Sequence, residues 1–99
     1  MRESAVRRQV IALLKDQGFF VVPFPGSIFG MAGIPDLIAV RRHPETGEGE
    51  TLWVELKAPG GRLSGTQTVR IKQLTDHGAQ VVVVRSRDEL AKHLNAGQR

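Results

Sequence analysis

Apolar residues recur at three- and four-residue steps near the start of the chain, which is the pattern of one buried helix face. The predicted helix spans residues 3–17 and stops at Gly18, since glycine commonly follows a helix C-terminus. We expect the apolar face to pack against a sheet. That face consists of Val6, Val10, Leu13 and Leu14.

The next two segments are predicted to be a strand and a loop. Residues 19–24 (FFVVPF) are aromatic and branched, as strands prefer. Pro23 has no N–H to donate, which favours a sheet edge or an early end of the strand. Residues 25–35 contain three glycines and are predicted to be a loop.

A β-hairpin is predicted in the middle of the chain. Residues 36–41 (DLIAVR) and 50–57 (ETLWVELK) have strand composition and flank the turn-rich segment 43–49. If the hairpin is centred near residue 46, Asp36 lies opposite Glu55 or Lys57.

Two helices and one strand are predicted after the hairpin. Ser64 is the N-cap of a helix that runs to about His77 and ends at Gly78. Residues 80–85 (QVVVVR) are an unbroken apolar run, typical of a strand in the centre of a sheet. Ser86 and Glu89 then form a capping box, which predicts a last helix. This helix runs through Leu90 and Leu94 and ends at Asn95 and Gly97.

The element order αβββαβα predicts a single α/β domain over residues 1–99, with a mixed sheet flanked by helices. Fourteen Lys and Arg against ten Asp and Glu give a net charge of +4, which favours a polyanionic partner. The chain has no Cys, which excludes thiolate catalysis and Cys-ligated zinc and favours a reducing, intracellular setting. No apolar run approaches the roughly 20 residues of a membrane helix, and we expect no membrane partner.

Candidate chemistry is concentrated at the open end of the predicted hairpin. Strand alternation places Glu55 and Lys57 on one face, with the Leu56 carbonyl at the same end of the sheet. Together with Asp36 they offer the oxygen ligands that Mg²⁺ or Mn²⁺ prefers when it binds substrate phosphate. Lys57 is then placed to orient a water molecule and to stabilise phosphoryl charge.

A solvated ion pair at a strand end is the alternative interpretation of these residues. We favour a functional site because Glu55 and Lys57 interrupt an otherwise apolar strand, where unpaired charges are costly.

The same residues resemble a known signature. Gly33-Ile34-Pro35-Asp36 followed by Glu55-Leu56-Lys57 is similar to the motif of the PD-(D/E)XK nucleases. Over nearly the whole chain the sequence resembles the VRR-NUC family within that superfamily. The matching features are Glu3, Gly-x-Pro-Asp, Trp-Val-Glu-Leu-Lys, Gly61-x-Leu63-Ser64 and Gln67. Gly65-Thr66 departs from the Pro and acid frequent in relatives, which concerns the start of the second helix.

The resemblance implies a restriction-endonuclease-like core and a metal-dependent deoxyribonuclease without a small-molecule cofactor. It also implies a cytoplasmic location in a bacterial or phage-infected cell. Asp36, Glu55 and the Leu56 carbonyl would bind Mg²⁺ or Mn²⁺, and Lys57 would be the catalytic lysine. Glu3 and Gln67 would be accessory catalytic residues. Short members resemble homodimeric resolvases of four-way DNA junctions, so branched DNA and a second copy of the chain are the expected partners.

Several roles stay open at the level of sequence. Glu3 continues the apolar stripe of the first helix and is either a site residue or a first-turn acid favoured by the helix dipole. Gln67 is either a site residue or the partner of Ser64 in a capping box. The proposed DNA contacts are Arg62, Ser64, Arg7 and Lys72, with Arg2, Arg8 and Arg70 as further phosphate candidates.

All four Phe residues lie between positions 19 and 29. Most are expected in the core, while some would form a patch that pairs two subunits. Trp53 is expected in the core rather than stacked on a base. We therefore predict a junction-cutting homodimer. The alternatives are a repair or restriction nuclease directed to flaps, nicks or ends, and a catalytically silent DNA-binding dimer of the same fold.

Overall fold

The computed structural model of the protein describes residues 1–24 and 31–96. Its element order is the predicted αβββαβα. Most of the predicted loop, residues 25–30, and the last helix's Gly97 lie outside the described residues. The elements are α1 (Glu3–Asp16), β1 (Phe20–Pro23), β2 (Leu37–Arg42), β3 (Gly49–Leu56), α2 (Gly65–Asp76), β4 (Val81–Val84) and α3 (Arg87–Ala96).

The four strands form one mixed sheet in the order β1-β2-β3-β4, which confirms the predicted fold class. β1 pairs with β2 and β2 pairs with β3 in antiparallel orientation, whereas β4 runs parallel to β3. Leu37 pairs with Val54, so the register continues to Asp36 opposite Glu55. This is one of the two partners predicted for Asp36. β1 lies at an edge, as Pro23 predicted.

The core lies between one face of the sheet and the helices α1 and α3, which also contact each other. Alternate residues of β2 and β3 point into it, and the apolar stripe of α1 faces them as predicted. Its fully buried members include Val6, Val10, Leu14, Leu37, Ala39, Leu52, Val54 and Leu90.

A buried arginine joins α1 to the hairpin. Arg41 donates from Nε to Glu50 at 2.9 Å and from Nη1 to the carbonyl of Gln17 at 2.9 Å. Its guanidinium also lies 4.2 Å from the ring centroid of Phe19. The buried charge is thus paired and hydrogen-bonded, as burial requires.

The predicted central position of β4 is wrong for the part of the chain that the structure describes. β4 is an edge strand there, paired with β3 alone. Val82 and Val84 are buried beneath α3, whereas Val81 and Val83 are half-buried. An unbroken valine run arises when both faces of a strand are partly covered, and it does not report whether a second strand lies alongside.

The sheet face opposite the core is apolar and only partly covered. Phe20 and Val40 are neighbours in the β1–β2 register and are 72% and 40% exposed. α2 lies on this side and has no buried residue. Within residues 1–24 and 31–96, no helix is long and apolar enough to cross a bilayer.

Candidate active site

The two acids of the predicted site meet where β2 and β3 separate. Asp36 immediately precedes β2, and Glu55 is the second-last residue of β3. The Leu56 N–H donates to Oδ2 of Asp36 at 2.8 Å, so the aspartate side chain is anchored on β3. This bond holds the carboxylate of Asp36 next to that of Glu55.

Glu55 is a buried acid with an unsatisfied oxygen. Its side chain is only 1% exposed, and Oε1 has no hydrogen-bond partner among the described residues. Burial, followed by the contact with Asp36, raises the pKa of Glu55 to about 8, while the charge of Lys57 acts in the opposite direction. Two ionised carboxylates in contact repel each other unless a proton or a cation lies between them.

A divalent cation fits this donor set. Ionised carboxylates only accept hydrogen bonds, so the pair needs a shared proton or a cation, and no described group donates to Oε1 of Glu55. Within the described chain, no group of three or more His, Cys, Asp or Glu side chains is placed to hold a metal. Two carboxylates and the Leu56 carbonyl, completed by water and substrate phosphate, are the ligands that Mg²⁺ accepts.

Lys57 and Glu3 lie near the pair, in different ways. Lys57 follows β3 directly and is half-buried. Its backbone N–H donates to the Val84 carbonyl at 3.0 Å. Its ammonium group is close enough to lower the pKa of Glu55. Glu3 is exposed in the first turn of α1, and its charge is the smallest of the influences that raise the pKa of Glu55.

Gln67 makes both contacts that the sequence left as alternatives. Its Oε1 accepts from the Ser64 N–H at 2.8 Å, and its own N–H donates to Oγ of Ser64 at 3.1 Å, which completes the capping box. Its Nε2 donates to Oε2 of Glu55 at 3.3 Å. The start of α2 is therefore tied to the buried acid.

A close approach at Gly33 was not predicted from the sequence. Gly33 has a φ of 83°, and a Cβ there would lie 2.7 Å from the Thr66 carbonyl oxygen of α2. Arg70 covers the same turn and donates from Nε to the Ala32 carbonyl at 2.9 Å. The glycine of Gly-x-Pro-Asp thus lets the segment that leads to Asp36 touch α2.

Gly33→Ala is expected to destabilise the protein more than Gly47→Ala. Both glycines have a φ near +80°, but a Cβ at Gly47 meets nothing within 4 Å. The shared cost is backbone strain of about 1–3 kcal/mol, and overlap with α2 adds to it only at Gly33. Urea unfolding of both variants measures the difference. Equal losses of stability would show that the close approach is not needed.

The side chains predicted to contact DNA differ in exposure and in whether they already have a partner within the chain. Arg62 is exposed beyond the Gly60-Gly61 turn, and Arg7 is half-buried on α1. Oγ of Ser64 is occupied in capping α2. Lys72 forms an exposed ion pair with Asp76 at 2.7 Å.

The aromatic residues are divided between the two faces of the sheet. Phe19 is in the core at 4% exposure, whereas Phe20 is exposed. Phe24 stacks on Trp53 with ring centroids 6.1 Å apart, on the face that also carries Glu55. Trp53 is half-buried there rather than in the core, and Phe29 lies outside the described residues.

A mixed sheet with a Pro-Asp and a Glu-x-Lys at the open end of its hairpin defines the class of PD-(D/E)XK nuclease-type domains. The comparisons with known proteins agree. The sequence model of the VRR-NUC domain matches residues 30–88, and the chain belongs to the VRR-NUC family, a nuclease-type family of that superfamily.

Solved structures give the same fold. One described as a VRR_NUC domain has a TM-score of 0.76 and 24% identity, with 94% of each chain covered. A second, described as a VRR_NUC domain protein, has a TM-score of 0.73 and 25% identity over 96% of this chain and 86% of the other. No curated protein matches the chain.

Proposed function

We propose that this VRR-NUC domain is a Mg²⁺- or Mn²⁺-dependent endodeoxyribonuclease that cuts branched DNA, with four-way junctions as the preferred substrate. The observation that supports the metal dependence is the contact of half-buried Asp36 with the buried Glu55, one oxygen of which has no described hydrogen-bond donor. The nuclease chemistry is that of the family. The preference for branched DNA comes from the resemblance to short family members.

The residues at the hairpin end divide the work of phosphodiester hydrolysis. Asp36, Glu55 and the Leu56 carbonyl would hold the cation, which when bound polarises phosphoryl oxygens and lowers the pKa of water. Lys57 orients the attacking water and stabilises the charge that develops on the phosphoryl group. Gln67 donates a hydrogen bond to Oε2 of Glu55, which would leave Oε1 available to hold the cation.

DNA would reach this site through its phosphates. The net charge of +4 favours approach of a polyanion, and the exposed Arg62 lies beyond the Gly60-Gly61 turn that follows Lys57. Arg7 and Lys72 are weaker candidates, and Ser64 contributes by fixing the start of α2. Phosphate contacts release bound counterions, so DNA affinity depends on salt concentration. Replacing one phosphate-contacting Lys or Arg should therefore lower the slope of log affinity against log salt concentration by about 1.

A symmetric dimer would present two active sites to two DNA strands, and the apolar sheet face with Phe20 and Val40 is our proposed interface. A large exposed aromatic beside a second exposed apolar residue is typical of a surface that is buried against a partner.

Phe20→Glu is expected to convert the dimer to a monomer with little change in stability, because a 72% exposed side chain contributes little to the core. Sedimentation equilibrium measures the mass, and Phe20→Leu, which keeps an apolar side chain, should remain dimeric. A wild-type protein that is monomeric at micromolar concentrations would contradict the proposal.

Cleavage of defined DNA tests the function as a whole. Labelled four-way junction, flap and linear duplex are incubated with protein and Mg²⁺, Mn²⁺ or EDTA. We expect metal-dependent cutting of the junction above all. Equal cutting of linear duplex would contradict the substrate preference, and junction binding without metal-dependent cutting would indicate a silent DNA-binding module.

A further inference from the structure

α2 contacts the proposed active site at two points. Gln67 donates to Glu55, and one turn further along the helix Arg70 donates to the carbonyl of Ala32. No residue of α2 is fully buried, and its apolar Ile71 and Leu74 are half-buried. The two polar links therefore act beside a partial apolar contact in setting the position of the helix relative to the acids.

The guanidinium of Arg70 is already engaged within the chain. Nε donates to the Ala32 carbonyl at 2.9 Å, and Nη1 donates to Oε1 of Gln73 at 2.9 Å. The side chain is half-buried, and its Cγ lies 2.9 Å from the position of a Cβ on Gly33. This contact extends the close approach between the Ala32-Gly33 turn and α2.

The turn held by Arg70 leads directly to Asp36. Pro35, between them, is fully buried and restricts the backbone on both of its sides. A shift of the turn is therefore passed on to Asp36 rather than absorbed by a flexible segment. The side chain of Asp36 accepts a hydrogen bond from the Leu56 N–H at 2.8 Å, and its carboxyl group also contacts that of Glu55.

We propose that Arg70 is a positioning residue for Asp36, holding the Ala32-Gly33 turn on α2 so that the Asp36 carboxylate stays on the Leu56 N–H and faces Glu55. This differs from the sequence-based expectation of a phosphate contact, which requires a guanidinium directed to solvent. The consequence for catalysis rests on the proposed function, whereas the consequence for the geometry of Asp36 does not.

Two replacements of Arg70, with side chains of equal length, distinguish the positioning role from a phosphate contact. Arg70→Gln places an amide N–H where Nε was, so it keeps a donor for Ala32 and removes the charge. Arg70→Met keeps the aliphatic stem and removes both donor and charge. A phosphate contact is lost equally in the two variants, while a positioning role is lost only with Met.

The first readout needs neither metal nor DNA. Amide exchange of Leu56 reports whether its N–H still reaches Asp36, and the core amide of Leu52 controls for global stability. We expect Leu56 exchange in Arg70→Met to be faster by about fivefold, the value of one ordinary hydrogen bond, with Leu52 unchanged. Arg70→Gln should exchange as the wild type does.

The second readout is Mn²⁺ affinity without DNA, followed by kcat and KM for the junction. Arg70→Met should bind Mn²⁺ about tenfold more weakly, as loss of a supporting contact typically causes, and lower kcat with little change in KM. Arg70→Gln should keep the wild-type Mn²⁺ affinity and kcat. Equal rates of Leu56 amide exchange in Arg70→Met and Arg70→Gln would overturn the inference. An equal fall of DNA affinity and of its salt dependence in these two variants would also overturn it. A wild type that binds no Mn²⁺ would overturn the proposed function, while the exchange result still decides the role of Arg70 at Asp36.

Discussion

Replacing Glu55 with Gln is expected to abolish metal-dependent cleavage and, at the same time, to stabilise the metal-free protein above neutral pH. The variant lacks one of the two carboxylates proposed to hold the cation, so Mn²⁺ affinity and turnover should fall together. It also removes a buried negative charge that lies beside Asp36. Gln keeps the shape of the side chain and can still bond to Gln67.

The direction of the stability change follows from the pKa. Folding raises the pKa of Glu55 from 4.5 to about 8, so between these values the folded metal-free protein holds a proton that the unfolded chain releases. Wild-type stability should therefore fall as pH rises from about 4.5 through about 8, and then level off. Glu55→Gln does not titrate there and should lose this slope.

Thermal unfolding in EDTA at pH 5 and pH 9 measures the effect. At pH 9 we expect the variant to exceed the wild type by at least about 1 kcal/mol, or roughly 4–8 °C in Tm for a chain of this size. At pH 5 the two should nearly coincide. Parallel pH profiles for the two proteins would contradict the burial of an acid with a raised pKa.

Replacing Lys57 with Ala is expected to lower kcat by about 10²–10³-fold, the usual loss for one group that stabilises transition-state charge. DNA affinity should remain nearly unchanged, because the interaction strengthens only as the phosphoryl charge develops. Loss of the lysine also removes the charge that lowers the pKa of Glu55. The assay is therefore run at saturating Mn²⁺, where this indirect effect is overcome.

A lysine outside the site controls for the general loss of positive charge. Lys92 is exposed on α3, and Lys92→Ala should cut the junction at the wild-type rate. Single-turnover kinetics with excess enzyme separate binding from chemistry. Strongly reduced DNA affinity with normal turnover at saturation would assign Lys57 to binding instead.

Many features of the fold depend on residues close together in the sequence, and these features are predicted well. The stripe on α1, the capping residues Ser64 and Ser86, and the hairpin register depend on nearest neighbours along the chain. The register brings Asp36 and Glu55 together, since strand pairing fixes which residues face each other.

What the sequence could not predict depends on contacts between distant segments. The edge position of β4 is set by which strands lie beside it, and a run of valines does not encode that. The contact of Gly33 with Thr66 and the bond from Arg70 to Ala32 join segments more than thirty residues apart. An exposed helical arginine looks the same in sequence whether it binds phosphate or a carbonyl of its own chain.

Calorimetric titration of Mn²⁺ into the DNA-free protein, wild type against Asp36→Asn, tests the shared cation site most directly. Asn keeps the size of the side chain and an oxygen that can accept from Leu56, so the fold should persist while one charged ligand is lost. The account predicts saturable binding to the wild type and binding at least about tenfold weaker in the variant. Equal affinity in the two proteins, or no binding to either, would contradict it.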